Sequence, residues 1–222
     1  MSEELWTEVE SYVDALLIPS DPVLEAAIAA SEAAGLPQIA VTPNQGKLLY
    51  LLARMQKARR ILEIGTLAGY STIWLARALP DDGSLVTLEL DRKHCEVARA
   101  NVARADLAGL VDFREGPALE TLPELAAEGL EPFDLVFIDA DKENCEAYFR
   151  WSMRLSRPGA VFVVDNVIRE GAVADAASTD PRALGIRRMN EAMAAEPRVT
   201  ATTIQTVGSK GYDGFTLAIF EG

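Results

Sequence analysis

The stretch "RRILEIGTLAGYSTIWLARAL", residues 59–79, decides how the chain is read. "RRILEIG" is a short apolar run of strand character, "YSTIWLARAL" reads as a helix, and Gly65 and Gly69 flank a tight turn between them. The same unit recurs downstream. "GSLVTLEL" precedes a helix from Asp91 to Ala105, and "VDFREG" precedes "ALETLPELAAEG". "FDLVFIDA" precedes a helix from about Glu143 to Leu155, and "GAVFVVDN" leads through a polar loop to "ALGIRRMNEAMAAE". Two further strands, "RVTATTIQT" and "FTLAIFE", are joined by the Gly-rich loop "GSKGYDG", which suits an antiparallel hairpin. Apolar strands alternating with helices predict an α/β fold whose parallel sheet is covered on both faces.

Three helices are expected before the first strand. "LWTEVESYVDALLI" has helical spacing of apolar residues. "DPVLEAAIAASEAAG" has Asp21 as N-cap, Pro22 at its first position and Gly35 as stop. "TPNQGKLLYLLARMQKA" repeats that logic with Thr42 and Pro43. The expected organisation is one domain, a helical cap over residues 1–58 and an α/β core over 59–222.

The bulk numbers exclude several functions. Of 222 residues, 49% are hydrophobic, enough for a real core. Lys plus Arg is 21 and Asp plus Glu is 34, a net charge of −13, which argues against tight non-specific nucleic-acid binding. Cys95 and Cys145 both fall in expected helices, so neither a disulfide framework nor a CxxC zinc motif is available, as fits a reducing cytoplasm. The acidic start "MSEELWTEVESY" predicts no signal peptide, and no apolar run predicts a membrane span. His94 is the single histidine and lies in a helical stretch with no serine elbow beside it. That excludes a Ser-His-Asp triad and His-rich zinc or iron sites, and leaves His94 as a surface or half-buried helix residue.

Ligands of open α/β sheets sit beyond the carboxyl ends of the strands. The turn after the first strand is neither GxGxxG nor GxxxxGK[ST]. Glu63 precedes it, where a pyrophosphate would be unwelcome and a cationic ligand would not. Glu89 ends the second strand, about twenty residues on, the position from which a carboxylate grips ribose hydroxyls. A nucleoside with a cationic group and no phosphates fits better than NAD, and S-adenosylmethionine is such a ligand. An NAD-linked reductase lacks both its glycine pattern and a base for the hydride site.

The fourth and fifth strands end in "DADK" and "DN". Asp139, Asp165 and Asn166 would offer two carboxylates and an amide oxygen, hard ligands for Mg²⁺, Mn²⁺ or Ca²⁺. Lys142 lies close enough in sequence to take a proton from a hydroxyl held there.

With those residues placed, the chain resembles the cation-dependent O-methyltransferases, the family of caffeoyl-CoA, bacterial family-3 and, more distantly, catechol O-methyltransferases. The resemblance runs from about Thr42 to the end through "EIGTLAGYS", "ALPDDGSLVTLELD", "FREGPALETL", "FDLVFIDADKENCEAYF", "VVDNV" and "VGSKGYDGFTLAIF". It implies a Rossmann-like S-adenosylmethionine-dependent methyltransferase fold, with a mostly parallel seven-stranded sheet, a C-terminal antiparallel hairpin and extra N-terminal helices. It implies Asp139, Asp165 and Asn166 as metal ligands and Lys142 with Asp139 as the catalytic pair. It also implies Val41, Glu63, Gly65, Thr66, Ser71, Glu89, Ala118 and Asp139 around S-adenosylmethionine. A phenolic small-molecule acceptor and a homodimer are expected. Where plant members carry a "TLW"-type stretch, this chain has "VIREGAV", with Arg169 a candidate acceptor contact or a solvated loop residue. The alternatives are a tRNA hydroxyuridine O-methyltransferase, with Arg187 and Arg188 facing RNA, and a non-catalytic S-adenosylmethionine-binding protein.

Overall fold

A computed structural model describes residues 2–222. Three helices come first: α1 Glu3–Leu17, α2 Pro22–Ala33 and α3 Pro43–Gln56. Their starts follow the capping logic of the sequence. Asp21 accepts hydrogen bonds from the Val23 and Leu24 backbone N–H groups, and Thr42 from that of Gln45, each just before a proline in the first turn.

The alternating core follows: β1 Arg60–Ile64, α4 Tyr70–Ala76, β2 Ser84–Glu89, α5 Arg92–Arg104, β3 Val111–Glu115 and α6 Ala118–Ala127. Then come β4 Phe133–Ile138, α7 Cys145–Leu155, β5 Ser156–Asp165, α8 Pro181–Ala195, β6 Val199–Gly208 and β7 Gly211–Phe220. The seven strands form one sheet in the order β3-β2-β1-β4-β5-β7-β6. β1 to β5 pair in parallel, while β7 is antiparallel to both β5 and β6. The expected architecture is therefore present, and strand order reverses between β1 and β4, the position at which such sheets bind ligands.

Because side chains alternate along a strand, β1, β2, β4 and β5 each feed two cores, while the edge strand β3 feeds one through Val111 and Phe113. Ile61, Leu85, Leu135 and Phe137 pack with α2, α3, α4 and α5 residues such as Leu24, Leu49, Ile73 and Ala98. Leu62, Ile64, Val136 and Phe162 pack with Leu122, Phe149, Ile186 and Met189 on the other face. Each such large side chain contributes about 1.5–3 kcal/mol by leaving water.

Local boundaries differ from expectation in three places. The helix after β4 begins as a one-turn 3-10 segment, Lys142–Asn144, and becomes α-helical only at Cys145. β5 starts at Ser156, three residues before the apolar run that signals it. The "GSKGYDG" connector is mostly strand: Gly208 pairs with Gly211, so Ser209 and Lys210 alone make the turn and Tyr212 to Gly214 belong to β7. Gly211 takes the left-handed conformation (φ +86°) that lets the chain turn so tightly.

One packing contact reaches towards the strand ends. α8 lies on the 3-10 turn, and a Cβ on Gly185 would sit 2.1 Å from the Lys142 carbonyl oxygen. Gly185→Ala must push α8 away from that turn. The expected outcome is a loss of about 1–3 kcal/mol in denaturant unfolding, together with reduced turnover because Lys142 moves with the backbone. Unchanged stability would show that α8 can slide freely there.

Candidate functional site

A cleft of about 1590 Å³ opens over the carboxyl ends of the parallel strands. Its floor is the turn after β1. Gly65 has φ +99°, and a Cβ there would lie 2.2 Å from the Asp139 carbonyl oxygen. The glycine is thus required by the neighbouring strand end, not only by a ligand. Gly69, at φ +81°, precedes α4.

Glu89 is bound to this turn. Its Oε2 accepts from the Thr66 and Leu67 backbone N–H groups at 3.1 and 2.8 Å. Its Oε1 accepts from the Asp91 N–H at 2.9 Å and lies 3.4 Å from His94 Nδ1. The carboxylate is buried yet lines the cleft, together with Val41, Gly65, Thr66, Ser71, Ala118 and Asp139.

Glu63 does not line it. The side chain is fully buried beneath the turn, on the α4 face. It accepts hydrogen bonds from Ser71 Oγ at 2.6 Å, Thr72 Oγ1 at 2.5 Å and Thr87 Oγ1 at 2.7 Å. Burial pushes its pKa up to about 7, partly offset by these hydroxyls and reinforced by the charge of Asp139. Its contribution to the cleft passes through Ser71, which lines it.

The other end of the cleft collects the residues that end β4 and β5. Lys142 Nζ lies 3.0 Å from Asp139 Oδ1 and is buried. Burial alone lowers its pKa, but Asp139, Cys145 and Asp165 outweigh it, and the net direction is up. Lys142 is accordingly an ammonium in this arrangement. Asp165 is buried, and its pKa rises to about 7, first through burial and then through the negative charge of Asp139. Asn166 takes a left-handed conformation (φ +55°) that turns the chain back over the strand end. Its side-chain amide makes no hydrogen bond among the described residues and lines the cleft. No group of three or more His, Cys, Asp or Glu side chains able to hold a metal occurs among the described residues. The set here is two carboxylates and one amide. A half-buried Asp139 and a buried Asp165 that repel each other, with the Lys142 ammonium on Asp139 and an unpartnered amide oxygen beside them, are hard donors, and a divalent cation fits them.

The comparisons with known proteins bear on this geometry. The family model described as O-methyltransferase matches residues 19–219. The chain belongs to that O-methyltransferase family. It is 52% identical to a catechol O-methyltransferase of Niastella koreensis over 219 residues, 99% of each chain. It is 56% identical over 212 residues to a catechol O-methyltransferase of Mycobacterium tuberculosis, covering 96% of this chain and 94% of that one. The crystal structure of an O-methyltransferase from Bacillus cereus in complex with SAH superposes with a TM-score of 0.97 at 56% identity, covering 99% of this chain and all of that one. The expected fold family and enzyme class are therefore met.

The site of this O-methyltransferase gathers all of the sequence-predicted residues except Glu63 and Asp165 along one cleft wall, and places those two directly behind it. Arg169 also lines the cleft, 4.0 Å from Asp213 Oδ2. Arg187 and Arg188, the pair considered for RNA, are engaged internally. Arg187 donates to the Val173, Ala172 and Asp175 carbonyls and Arg188 to the Glu143 carbonyl. Sequence reasoning missed His94, Lys210, Tyr212 and Asp213 as cleft residues. For the last three a signal existed: β6 runs the same way as β5, so its turn must land on the ligand edge of the sheet. Asp213 Oδ1 accepts from the Ile168 and Arg169 N–H groups at 2.8 and 3.1 Å, which pins the segment after Asn166.

Glu63 gives a pH-dependent prediction. The folded state keeps its proton up to about pH 7, whereas the unfolded chain releases it near 4.5. The fold thus binds the extra proton between those values, so the Glu63 contribution falls as pH rises through that window, by roughly 3 kcal/mol at most. Glu63→Gln keeps an acceptor for the hydroxyls and removes the titration. Urea unfolding of both proteins from pH 5 to 8 should show the wild type losing stability relative to the variant. A constant difference would mean that Glu63 is ionised throughout.

Proposed function

We propose that this enzyme transfers the methyl group of S-adenosylmethionine to one hydroxyl of a catechol-like small molecule, with a divalent cation, Mg²⁺ foremost, at Asp139, Asp165 and Asn166. The observation that carries the reading is the convergence on one cleft of a glycine turn backed by Glu89 and, beside it, the Asp139 carboxylate and a free amide, with the Asp165 carboxylate directly behind them. The SAH bound by the Bacillus cereus relative and the names of the two catechol O-methyltransferases support the donor and the acceptor class. In the reaction the acceptor oxygen bonds to the methyl carbon as the carbon–sulfur bond breaks. The products are S-adenosylhomocysteine, a methyl ether and a proton.

A bound divalent cation supplies Lewis acidity, favouring the ionised form of a hydroxyl that it holds. The chain's own residues do the rest. Glu89 holds the Thr66 and Leu67 amides of the donor-side turn in place. Asp139 orients Lys142 Nζ towards the acceptor end. Neutralising Asp139 and Asp165 removes the influence that raises the Lys142 pKa and leaves the burial that lowers it, which suits a proton acceptor. Positioning both reactants along one wall supplies much of the rate. A small acceptor is favoured over tRNA because Arg187 and Arg188 are spent on backbone carbonyls.

Methyl transfer from labelled S-adenosylmethionine to a simple catechol tests the reading. Turnover should appear with Mg²⁺ and vanish with excess chelator. Asp165→Ala should lose at least about 100-fold in turnover and still bind S-adenosylmethionine by calorimetry. Equal turnover in chelator would remove the cation from the mechanism.

We also propose a homodimer. α1 buries no residue and exposes Val9, Tyr12 and Leu16. It lies against β6, an edge strand exposed along nearly its whole length that adds Ile204 and Val207. A long edge with apolar residues invites pairing, and a second copy of the chain is the occupant proposed. The two buried free cysteines and the absence of any described helix long and apolar enough to cross a membrane fit a cytoplasmic enzyme. Light scattering after size exclusion should give about twice the 24.0 kDa chain mass, and Tyr12→Glu should shift it towards monomer. A monomeric wild type would remove the dimer.

A further inference from the structure

Lys210 belongs to the two-residue turn between β6 and β7, where an ordinary lysine would be solvated and mobile. Here its backbone is held. Glu10 of α1 accepts from the Ser209 N–H at 2.6 Å, and a Cβ on the preceding Gly208 would collide with the same carboxylate at 2.9 Å. Glu10 is itself drawn to Thr42 at the start of α3. Gly211 fixes the far side of the turn in a left-handed conformation. The turn is thus clamped between α1, α3 and the sheet, and Lys210 lines the cleft at its acceptor end with Asn166, Arg169 and Tyr212.

The ammonium has no partner. No carboxylate comes within ion-pairing distance of Lys210 among the described residues, and it donates no hydrogen bond there. The carboxylates that face it are Glu10, Asp139 and Asp165. Glu10 is occupied by Ser209, and the other two are the proposed metal ligands. The nearby Arg169 leans on Asp213, which is already accepting three backbone N–H groups. An unpaired cation on a braced turn, exposed at the cleft and facing the space where the acceptor would lie, favours an anion there.

We propose that Lys210 is a specificity residue that receives an acidic substituent of the acceptor, so that the preferred substrates are catechols bearing a carboxylate. The proposal rests on the catechol reading of the cleft and deepens it. The two hydroxyls would sit at the Asp139, Asp165 and Asn166 end, and the carboxylate would reach Lys210 at the mouth. A neutral catechol would leave the ammonium unpaired, and an amine-bearing catechol would be repelled by it.

The test uses three acceptors of one shape class: 3,4-dihydroxybenzoate, its methyl ester and dopamine. Steady-state kinetics on the full chain with Mg²⁺ should show kcat/KM highest for the acid. In Lys210→Gln the ratio of acid to ester should fall about 10- to 100-fold, the worth of one charge-assisted hydrogen bond, and the loss should lie in KM more than in kcat. Lys210→Arg should restore most of the ratio, and Lys210→Glu should turn the preference towards dopamine. Calorimetric binding of the acid to the protein with S-adenosylhomocysteine, read without turnover, should weaken in Lys210→Gln by a similar factor. An equal loss for all three acceptors, or no change in the ratio, would make Lys210 a structural or solvated residue and overturn the proposal. Failure of the wild type to methylate any of the three would overturn the catechol reading itself, a result distinguishable from the first because no ratio could then be measured.

Discussion

A Cβ on Gly65 would lie 2.2 Å from the Asp139 carbonyl oxygen, and the absence of that atom allows the end of β1 to close against the end of β4. The two strands pair in register from Ile61 with Leu135 to Ile64 with Ile138, and the Asp139 N–H continues the ladder by donating to the Ile64 carbonyl at 2.9 Å. At this junction the strand order reverses, so loops on either side diverge and leave a crevice. The donor-side turn and the acceptor-side carboxylate are therefore neighbours in one rigid ladder. Their separation is set by strand pairing, which is stiffer than any loop, and methyl transfer needs that distance held.

Around this junction, charge is handled in two ways. Glu63 is buried with three hydroxyl donors and is satisfied by the protein alone. Glu89 is held by backbone N–H groups and presents one face to the cleft. At the other end Lys142 pairs with Asp139, and Asp165 is buried beside them with its pKa raised. The contrast is one of partners: Glu63 is ringed by three hydroxyls beneath the turn, while Asp165 has only the Asn166 N–H among the described hydrogen bonds.

Most of the fold was legible because its signals are local. Apolar runs of five or six residues gave the parallel strands, and Asp21, Thr42 and their following prolines gave the helix starts. Asp139 and Asp165 were legible as candidate site residues because each ends a buried strand abruptly. What stayed hidden depends on contacts between distant segments. Glu63 stands at a ligand-binding strand end in the sequence, but the alternation of side chains turns it under the sheet towards Ser71 and Thr72. The "GSKGYDG" stretch reads as a connector because glycine and polar residues dominate it, yet sheet pairing extends almost to its tip. Lys210, Tyr212 and Asp213 then reach the cleft through sheet direction, which no local pattern carries.

The hydrogen bond between Glu10 and the Ser209 N–H joins residues 199 positions apart. A contact of that separation has a large loop to close and forms after the local helices and hairpins. During synthesis α1 emerges before the sheet, but its partner hairpin leaves the ribosome after β1 to β5. The central sheet from β1 to β5 can assemble while α1 still lacks its seat, and only the arrival of the β6–β7 hairpin docks the two. A chain truncated within the hairpin would lose two of the seven strands, leaving the β5 edge unpaired and the cleft without the wall that Lys210, Tyr212 and Asp213 supply.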